Sequence, residues 1–214
     1  MRSEPARLAF TGLLPFIAAM AVIVVASNIL VQYPFGYFGL GDLLTWGAFT
    51  YPFAFLANDL ANRRFGAAAA RKVVIAGFVL AVALSIWLAT PRIAIASGSA
   101  FAAAQLLDVQ IFDRLRRGAW WRAPLISSLI GSLVDTILFF TIAFAPLFAD
   151  IDFFFGMEDN SLGFPAGIFG IAMPLWASLA IGDLIVKVLI GLVALVPYAG
   201  LLKLMGSPRV AEAA

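Results

Sequence analysis

The sequence predicts an all-α integral membrane protein in which residues 1–214 form a single domain of six transmembrane helices. The chain is 63% hydrophobic with a mean hydropathy of +1.01, whereas the apolar share of a soluble domain is about half. Apolar runs long enough to cross a bilayer cover nearly the whole sequence. Basic residues concentrate in alternate connections between these runs. Little chain is left for a separate soluble catalytic domain.

The first two predicted spans differ in character. The first, Leu8 to Val31, is uncharged and too long for a cleaved signal sequence, so we expect an uncleaved helix. The second, Leu43 to Leu60, contains Pro52. Proline removes one helical hydrogen bond and clashes with the preceding turn, so we expect this helix to be interrupted near Pro52. Backbone groups freed at membrane depth need protein, water or a ligand as partners.

Four further spans complete the prediction. They are Val73–Ala89, Ile93–Ile111, Ala123–Leu147 and Pro174–Pro197. An acidic, aromatic segment from Asp150 to Gly170 precedes the last span and is expected to be a loop.

The distribution of lysine and arginine predicts the orientation. Of the 14 basic residues, 12 lie near the two termini or in the second and fourth connections. The other connections hold only Arg92, and the fifth is acidic. Because positively charged loops stay in the cytoplasm, we expect both termini on the cytoplasmic side of the membrane. The same topology accounts for the basic residues, so they give no reason to expect a nucleic-acid partner.

The composition argues against enzymatic chemistry. The chain has no cysteine and no histidine, which excludes disulfides, thiolate metal sites and histidine-based catalysis. It also lacks a zinc-protease helix motif and a phosphate-binding glycine loop. We therefore expect neither an enzyme nor a metal or cofactor site. Any proton coupling would have to use carboxyl groups.

Five charged residues lie inside the predicted spans: Asp59, Asp108, Asp135, Asp183 and Lys187. A charge at mid-bilayer costs roughly 3 kcal/mol, so several together indicate a polar or ligand-lined interior. Asp59 is four residues before Arg63, and we favour its interpretation as part of an ordinary ion pair at a helix end, with a functional role as the alternative. Asp183 and Lys187 have the same spacing and either neutralise each other or face a ligand. Asp135 has no basic partner within its own span.

Gln105 and Asp108 share a helix face at i, i+3. An amide and a carboxylate side by side can satisfy a planar ring that carries adjacent donors and an acceptor. A polar clamp between two helices is the alternative interpretation. On the last span, Trp176, Asp183 and Lys187 fall on one stripe.

Several short motifs, taken in order and spacing, resemble the queuosine-precursor transporters, also called the vitamin-uptake-transporter-like family. The resemblance covers about Gly47 to Phe144. Its motifs are Thr50-Tyr51-Pro52-Phe53, Asn58-Asp59, Gly66, Arg71-Lys72, Leu107-Asp108, Phe112-Asp113-Arg114-Leu115-Arg116, Trp120-Trp121, Ser128-Leu129-Ile130-Gly131-Ser132 and Asp135-Thr136. The resemblance implies import of 7-cyano-7-deazaguanine, 7-aminomethyl-7-deazaguanine or both across the cytoplasmic membrane.

Such a ligand fits the polar residues. A guanine-like edge presents N1–H and an exocyclic amine side by side, and one carboxylate can accept both. We expect Asp108 to accept the hydrogen bonds of this edge, and Asp135 is the second choice. We expect the binding site to contain Asn58, Gln105, Asp108, Asp135, Asp183 and Lys187, with Trp176 and Phe53 stacking on the ring.

Two other classes remain open. The chain could be the substrate-capture membrane subunit of a multi-component vitamin or nucleobase importer, or a structural membrane protein with a polar packing core. The expected partners are the lipid bilayer and a small purine-like substrate. The sequence leaves open a homodimer, and it does not identify the energy source.

Overall fold

Eight α-helices build the part of the chain that the structure describes. This computed structural model describes residues 4–38, 40–41, 44–168 and 171–205. The helices are α1 (Glu4–Leu30), α2 (Gly47–Thr50), α3 (Phe53–Phe65), α4 (Ala67–Leu88), α5 (Pro91–Leu115), α6 (Arg122–Phe144), α7 (Ala149–Phe154) and α8 (Leu175–Met205). A 3₁₀ turn (Pro146–Phe148) precedes α7, and a two-stranded antiparallel hairpin, β1 (Pro165–Ile168) and β2 (Ile171–Pro174), precedes α8.

Five of the described helices, α1, α4, α5, α6 and α8, are long and apolar enough to cross a membrane. The chain is therefore an all-α membrane protein apart from its short hairpin. Helix α5 packs against α4 and α6, α1 packs against α3 and α4, and α8 packs against α6. Helix α3 lies among these and contacts α1, α4, α5, α6 and α8. Its polar residues are consequently enclosed on several sides.

The second apolar segment is divided where Pro52 predicts an interruption. Helix α2 ends at Thr50 and α3 begins at Phe53. Between them, the N–H groups of Ala54 and Phe55 bond three residues back, to the carbonyls of Tyr51 and Pro52. The missing proline N–H thus converts the helix locally into tighter turns. Thr50 is tied to α1 through a 3.0 Å hydrogen bond between its hydroxyl and that of Ser27.

Several predicted boundaries were wrong. Helix α4 begins at Ala67, not Val73, so Arg71 and Lys72 lie in a helix rather than a loop. Helix α8 continues through Pro197 to Met205. The segment expected to be a loop contains α7 and β1. Arg2 and Arg209, which contributed to the predicted orientation, lie outside the described residues, as does the predicted start of the second span at Leu43.

One end of the bundle is basic. The Arg63 guanidinium donates to the Arg116 carbonyl, and the Arg64 guanidinium donates to the Met205 carbonyl. The end of α3, the end of α5 and the end of α8 therefore meet at this end. Phe65, the last residue of α3, also packs edge-to-face against Phe16 of α1, with ring centroids 5.7 Å apart.

The opposite end is organised around a buried arginine. Arg92, at the start of α5, is 1% exposed and donates to the carbonyls of Ile142 and Ala145 at 2.8 and 2.5 Å. Its Nη1 lies 2.7 Å from Asp152 Oδ2 of α7 and 3.6 Å from Asp159 Oδ1. Hydrogen bonds from Ser161 lower the pKa of the exposed Asp159 carboxyl, which favours its charged form beside Arg92. Arg92 thus ties the acidic segment to the bundle.

Candidate functional site

Two polar clusters lie inside the helix bundle. We call the first the paired-carboxylate cluster; it consists of Asn58 and Asp59 of α3, Gln105 and Asp108 of α5, and Ser127 and Ser128 of α6. We call the second the lysine cluster. It consists of Asp135 and Thr136 of α6, Asp183 and Lys187 of α8, and Tyr51, which lies at the interruption before α3.

The paired-carboxylate cluster is almost completely removed from solvent. Asn58, Gln105 and Asp108 are 0% exposed and Asp59 is 1% exposed. Asn58 Nδ2 donates to Asp108 Oδ2 at 2.9 Å and, more weakly, to the Gln105 carbonyl at 3.5 Å. Asn58 and Asp59 are consecutive residues about 100° apart around α3, so the Asn58 side chain meets α5 and the Asp59 side chain meets α6. The side chains predicted from the sequence on the second and fourth spans therefore meet.

Asp59 is not paired with Arg63 in the way its i, i+4 spacing suggested, and that interpretation was wrong. The two Asp59 oxygens accept bonds of 3.4 Å from the hydroxyls of Ser127 and Ser128. The Asp59 and Asp108 carboxyl groups also interact with each other. Arg63 points to the basic end and donates to the hydroxyl of Tyr198 at 3.0 Å.

Several buried atoms of this cluster have no hydrogen-bond partner among the described residues. They are both amide atoms of Gln105, Oδ1 of Asp108 and Oδ1 of Asn58. Buried polar groups are nearly always satisfied, because each unpaired one costs about 1–3 kcal/mol. Here one donor group and three acceptor atoms lie unsatisfied together. Unpartnered atoms grouped in this way can form hydrogen bonds with a polar ligand or with water.

The lysine cluster, in contrast, is saturated. Lys187 Nζ lies 2.7 Å from Asp135 Oδ2 and 2.5 Å from Asp183 Oδ2. The hydroxyls of Tyr51 and Thr136 donate to Asp135 Oδ1 and Asp183 Oδ2 at 2.9 and 2.8 Å. Asp135 thus obtains its basic partner from α8, and the i, i+4 pair on α8 is only part of a larger network. The cluster ties α6, α8 and the interruption before α3 together.

A cavity lies between the two clusters, where α3, α6 and α8 meet. It is a narrow, partly open crevice with room for about one water molecule. Its polar wall contains Asp59, Ser128, Ser132, Lys187 and Tyr198. Its other lining residues are Pro52, Phe55, Leu56, Pro124, Gly191, Ala194 and Leu195. The cavity therefore reaches Asp59 from one side, while Asn58, Gln105 and Asp108 do not line it.

The predicted aromatic residues lie away from the cavity. Phe53, the first residue of α3, is 37% exposed and does not line it. Trp176 is the second residue of α8, and its backbone N–H donates to the Leu162 carbonyl beside the hairpin. Of the residues predicted for the site, Lys187 is the one that lines this cavity, while Asn58, Gln105 and Asp108 lie in the adjoining cluster.

Sequence reasoning overlooked Phe55 and Tyr198. Phe55 is 1% exposed, lines the cavity and precedes Asp59 by four residues, so helical periodicity could have found it. Tyr198 is 0% exposed and follows Lys187 by three turns on the same face of α8. It was overlooked because α8 was expected to end at Pro197. Among the described residues, no group of acidic side chains is arranged to hold a metal ion.

Comparison with known proteins gives consistent matches. A family model described as "Putative vitamin uptake transporter" matches residues 45–90 and 84–202. The chain is 36% identical over 212 residues to the queuosine precursor transporter of Escherichia coli K12, covering 89% of this chain and 86% of that protein. It is 36% identical over 209 residues to the probable queuosine precursor transporter of Haemophilus influenzae, covering 83% and 80%. No solved structure gives a significant match.

Proposed function

Because the chain belongs to the vitamin uptake transporter family, we propose that it imports queuosine precursors across the inner membrane. The substrates are 7-cyano-7-deazaguanine, 7-aminomethyl-7-deazaguanine or both. The observation that carries this proposal is the set of buried, unpartnered polar atoms on Asn58, Gln105 and Asp108. The relatives' names agree with it, since each contains the words queuosine precursor transporter.

The unpartnered atoms match the polar edge of a deazaguanine. In our proposal Asp108 Oδ1 accepts one ring-edge N–H, either N1–H or the exocyclic amine. Nε2 of Gln105 donates to O6. Oδ1 of Asn58 is a further acceptor for the amine. The chemistry of the site thus favours a flat ring with adjacent donors and one acceptor over a purely apolar vitamin.

The transport route we propose uses the cavity between α3, α6 and α8. Asp59 and Ser128 line that cavity and also belong to the paired-carboxylate cluster. A movement of α3 against α6 would therefore join the cavity to Gln105 and Asp108. Interrupted helices favour such movement, because the hydrogen-bond ladder between α2 and α3 is already broken at Pro52.

The topology we propose has six spans, with α2 and α3 together forming the second. Both termini lie in the cytoplasm, in agreement with the concentration of basic residues at one end of the bundle. The lysine cluster of Asp135, Asp183 and Lys187 holds α6 and α8 together beside the substrate route. Trp176 and Phe53 are proposed as stacking partners during entry or release rather than in this conformation. A homodimer is compatible with this topology.

Uptake by cells without an importer of their own tests the proposal. Such cells, given labelled 7-cyano-7-deazaguanine, should accumulate label only when they express this chain. Purified protein in liposomes should exchange internal for external label without a second subunit, which distinguishes a complete transporter from a substrate-capture subunit. Uptake no higher than in cells with an empty vector, at normal expression, would refute the proposal.

A further inference from the structure

The charge of the paired-carboxylate cluster is unbalanced. Asp59 and Asp108 interact with each other, both are buried, and their hydrogen-bond partners are the uncharged side chains of Asn58, Ser127 and Ser128. Two adjacent carboxyl groups repel each other when both are ionised, and burial adds a desolvation cost. A dry pair is therefore far more stable when it holds one proton and one negative charge.

The neighbouring cations are committed to other groups. Arg63, one turn after Asp59 on α3, binds Tyr198 and the carbonyls of Arg116 and Trp120. Lys187 of α8 lines the same cavity as Asp59 but is held by the two aspartates of the lysine cluster. Its single ammonium is already shared between two carboxyl groups. It cannot neutralise a second ionised pair.

Among the described residues, the elements around α3 bring no free cation to the pair. The described charged or titratable groups that face Asp59 are Asp108 from α5, and Lys187 and Tyr198 across the cavity from α8. Helix α6 contributes the hydroxyls of Ser127 and Ser128. Helices α1 and α4 pack on α3 in an apolar cluster that includes Leu13, Val73 and Val74, and also Ala54, Ala57 and Ala61 of α3 itself. The pair therefore depends on a proton for its charge balance.

The two carboxyl groups have different surroundings. Asp108 faces Gln105 and Asn58 and keeps an unpartnered oxygen, whereas Asp59 lines the cavity. Donor groups of a bound ring would stabilise Asp108 as the charged member of the pair. The shared proton would then reside on Asp59. A ring seated there would also displace water from the pair, and loss of water disfavours a second negative charge.

We propose that Asp59 is the coupling site of this transporter and that one proton crosses the membrane on Asp59 with each substrate molecule. This inference rests on the proposed function. The proton binds from the outer side as substrate binds, and it leaves on the inner side when release of the substrate lets water reach the pair. Only the proton is transferred, and no other bond is made or broken. Because coupling between two ligands is reciprocal, protonation of Asp59 strengthens substrate binding and substrate binding retains the proton.

Liposomes that contain the purified protein and a trapped pH-sensitive dye test this inference. With an acidic exterior, the wild type should accumulate labelled 7-cyano-7-deazaguanine above equilibrium, and added substrate should acidify the interior. Asp59→Asn, which keeps the shape but cannot release a proton, should lose both accumulation and acidification, and its affinity for the label should no longer vary with pH. Asp59→Glu should retain coupling. Asp113→Asn removes a partly exposed carboxyl group at the basic end of the bundle and should behave as the wild type.

Binding gives a second measurement that needs only the wild-type protein in detergent. Above the pH at which the pair loses its proton, affinity should fall about tenfold per pH unit, because one proton is linked to binding. Three results would each overturn the inference and leave the proposed function standing. They are exchange of label by the wild type without acidification, accumulation of label by Asp59→Asn in response to the pH gradient, and a wild-type affinity that does not change between pH 5 and pH 9. A wild type that neither binds nor exchanges the probe would overturn both.

Discussion

At the residue scale, the buried carboxyl groups of the paired-carboxylate cluster take their hydrogen-bond partners from neighbouring helices. Asp108, Gln105 and Asn58 were predicted for the site and lie together. Asp59 was assigned to Arg63 because they are one helical turn apart. Its contacts instead come from α5 and α6. Spacing within one helix shows which residues share a face, but a contact from another helix can replace a local pair, and a single sequence does not reveal it.

Asp108→Asn tests the proposed reader of the substrate. The change keeps the shape but places an amide where the ring's N–H groups need an acceptor. A buried hydrogen bond to a charged group is worth about 1.5–3 kcal/mol, so affinity for 7-cyano-7-deazaguanine should fall roughly tenfold to hundredfold. Equilibrium binding to the purified variant measures this, with Asp113→Asn as the matched control. If the Asp108→Asn variant binds the substrate as tightly as the wild type, another group accepts the ring's hydrogen bonds.

Arg92→Met tests the buried ion pair at the end of the bundle opposite the basic end. The variant leaves the Asp152 carboxyl, whose side chain is 0% exposed, without its cation. Removal of one partner of a buried pair costs about 3–5 kcal/mol, so the melting temperature in detergent should fall by several degrees. Asp150→Asn, at an exposed position of the same helix α7, is the control and should leave it unchanged. A variant as stable as the wild type would mean that Arg92 does not hold this segment.

At the element scale, two prolines have different effects on their helices. Pro52 divides a helix, as predicted, whereas α8 continues through Pro197. The residues around Pro52 have partners outside their own helix, including the Ser27 hydroxyl and the lysine cluster. Pro197 itself is exposed, in an apolar stretch of α8. In a bilayer, continuing the helix is then the less costly choice. The proline alone does not encode this difference.

The face of α8 that lines the cavity provides a test of the transport route. A side chain added at Gly191 would meet open space, and Gly191 lines the cavity. Gly191→Leu should therefore fill the route and abolish or strongly reduce uptake while the melting temperature stays close to that of the wild type. Gly200→Leu is the matched control, because Gly200 is also unobstructed but is exposed and does not line the cavity. Equal uptake by the two variants would exclude this cavity from the route.

At the scale of the whole molecule, composition was sufficient for the class of protein but not for the assembly of its site. A hydrophobic share of 63% and the apolar runs predicted a helical membrane protein. The paired-carboxylate cluster, however, joins α3, α5 and α6, and the cavity adds α8. Which helices become neighbours depends on contacts between residues far apart in the chain. Gly131 of α6, for example, packs directly against the Phe55 ring of α3, where an added Cβ would come within 2.6 Å.

The orientation of the molecule in the membrane can be tested by cysteine labelling at its two ends. Arg117 follows α5 at the basic end of the bundle, and Glu158 lies in the acidic segment at the opposite end; both are exposed. Positively charged connections remain in the cytoplasm. The chain has no cysteine of its own, so Arg117→Cys and Glu158→Cys each carry a single label site. A membrane-impermeant maleimide should label Glu158→Cys in intact cells and should label Arg117→Cys only after permeabilisation. The reverse pattern would show that the topology is inverted, and labelling of both variants from outside would show that it is wrong. Either result would also contradict the direction of proton movement proposed for Asp59.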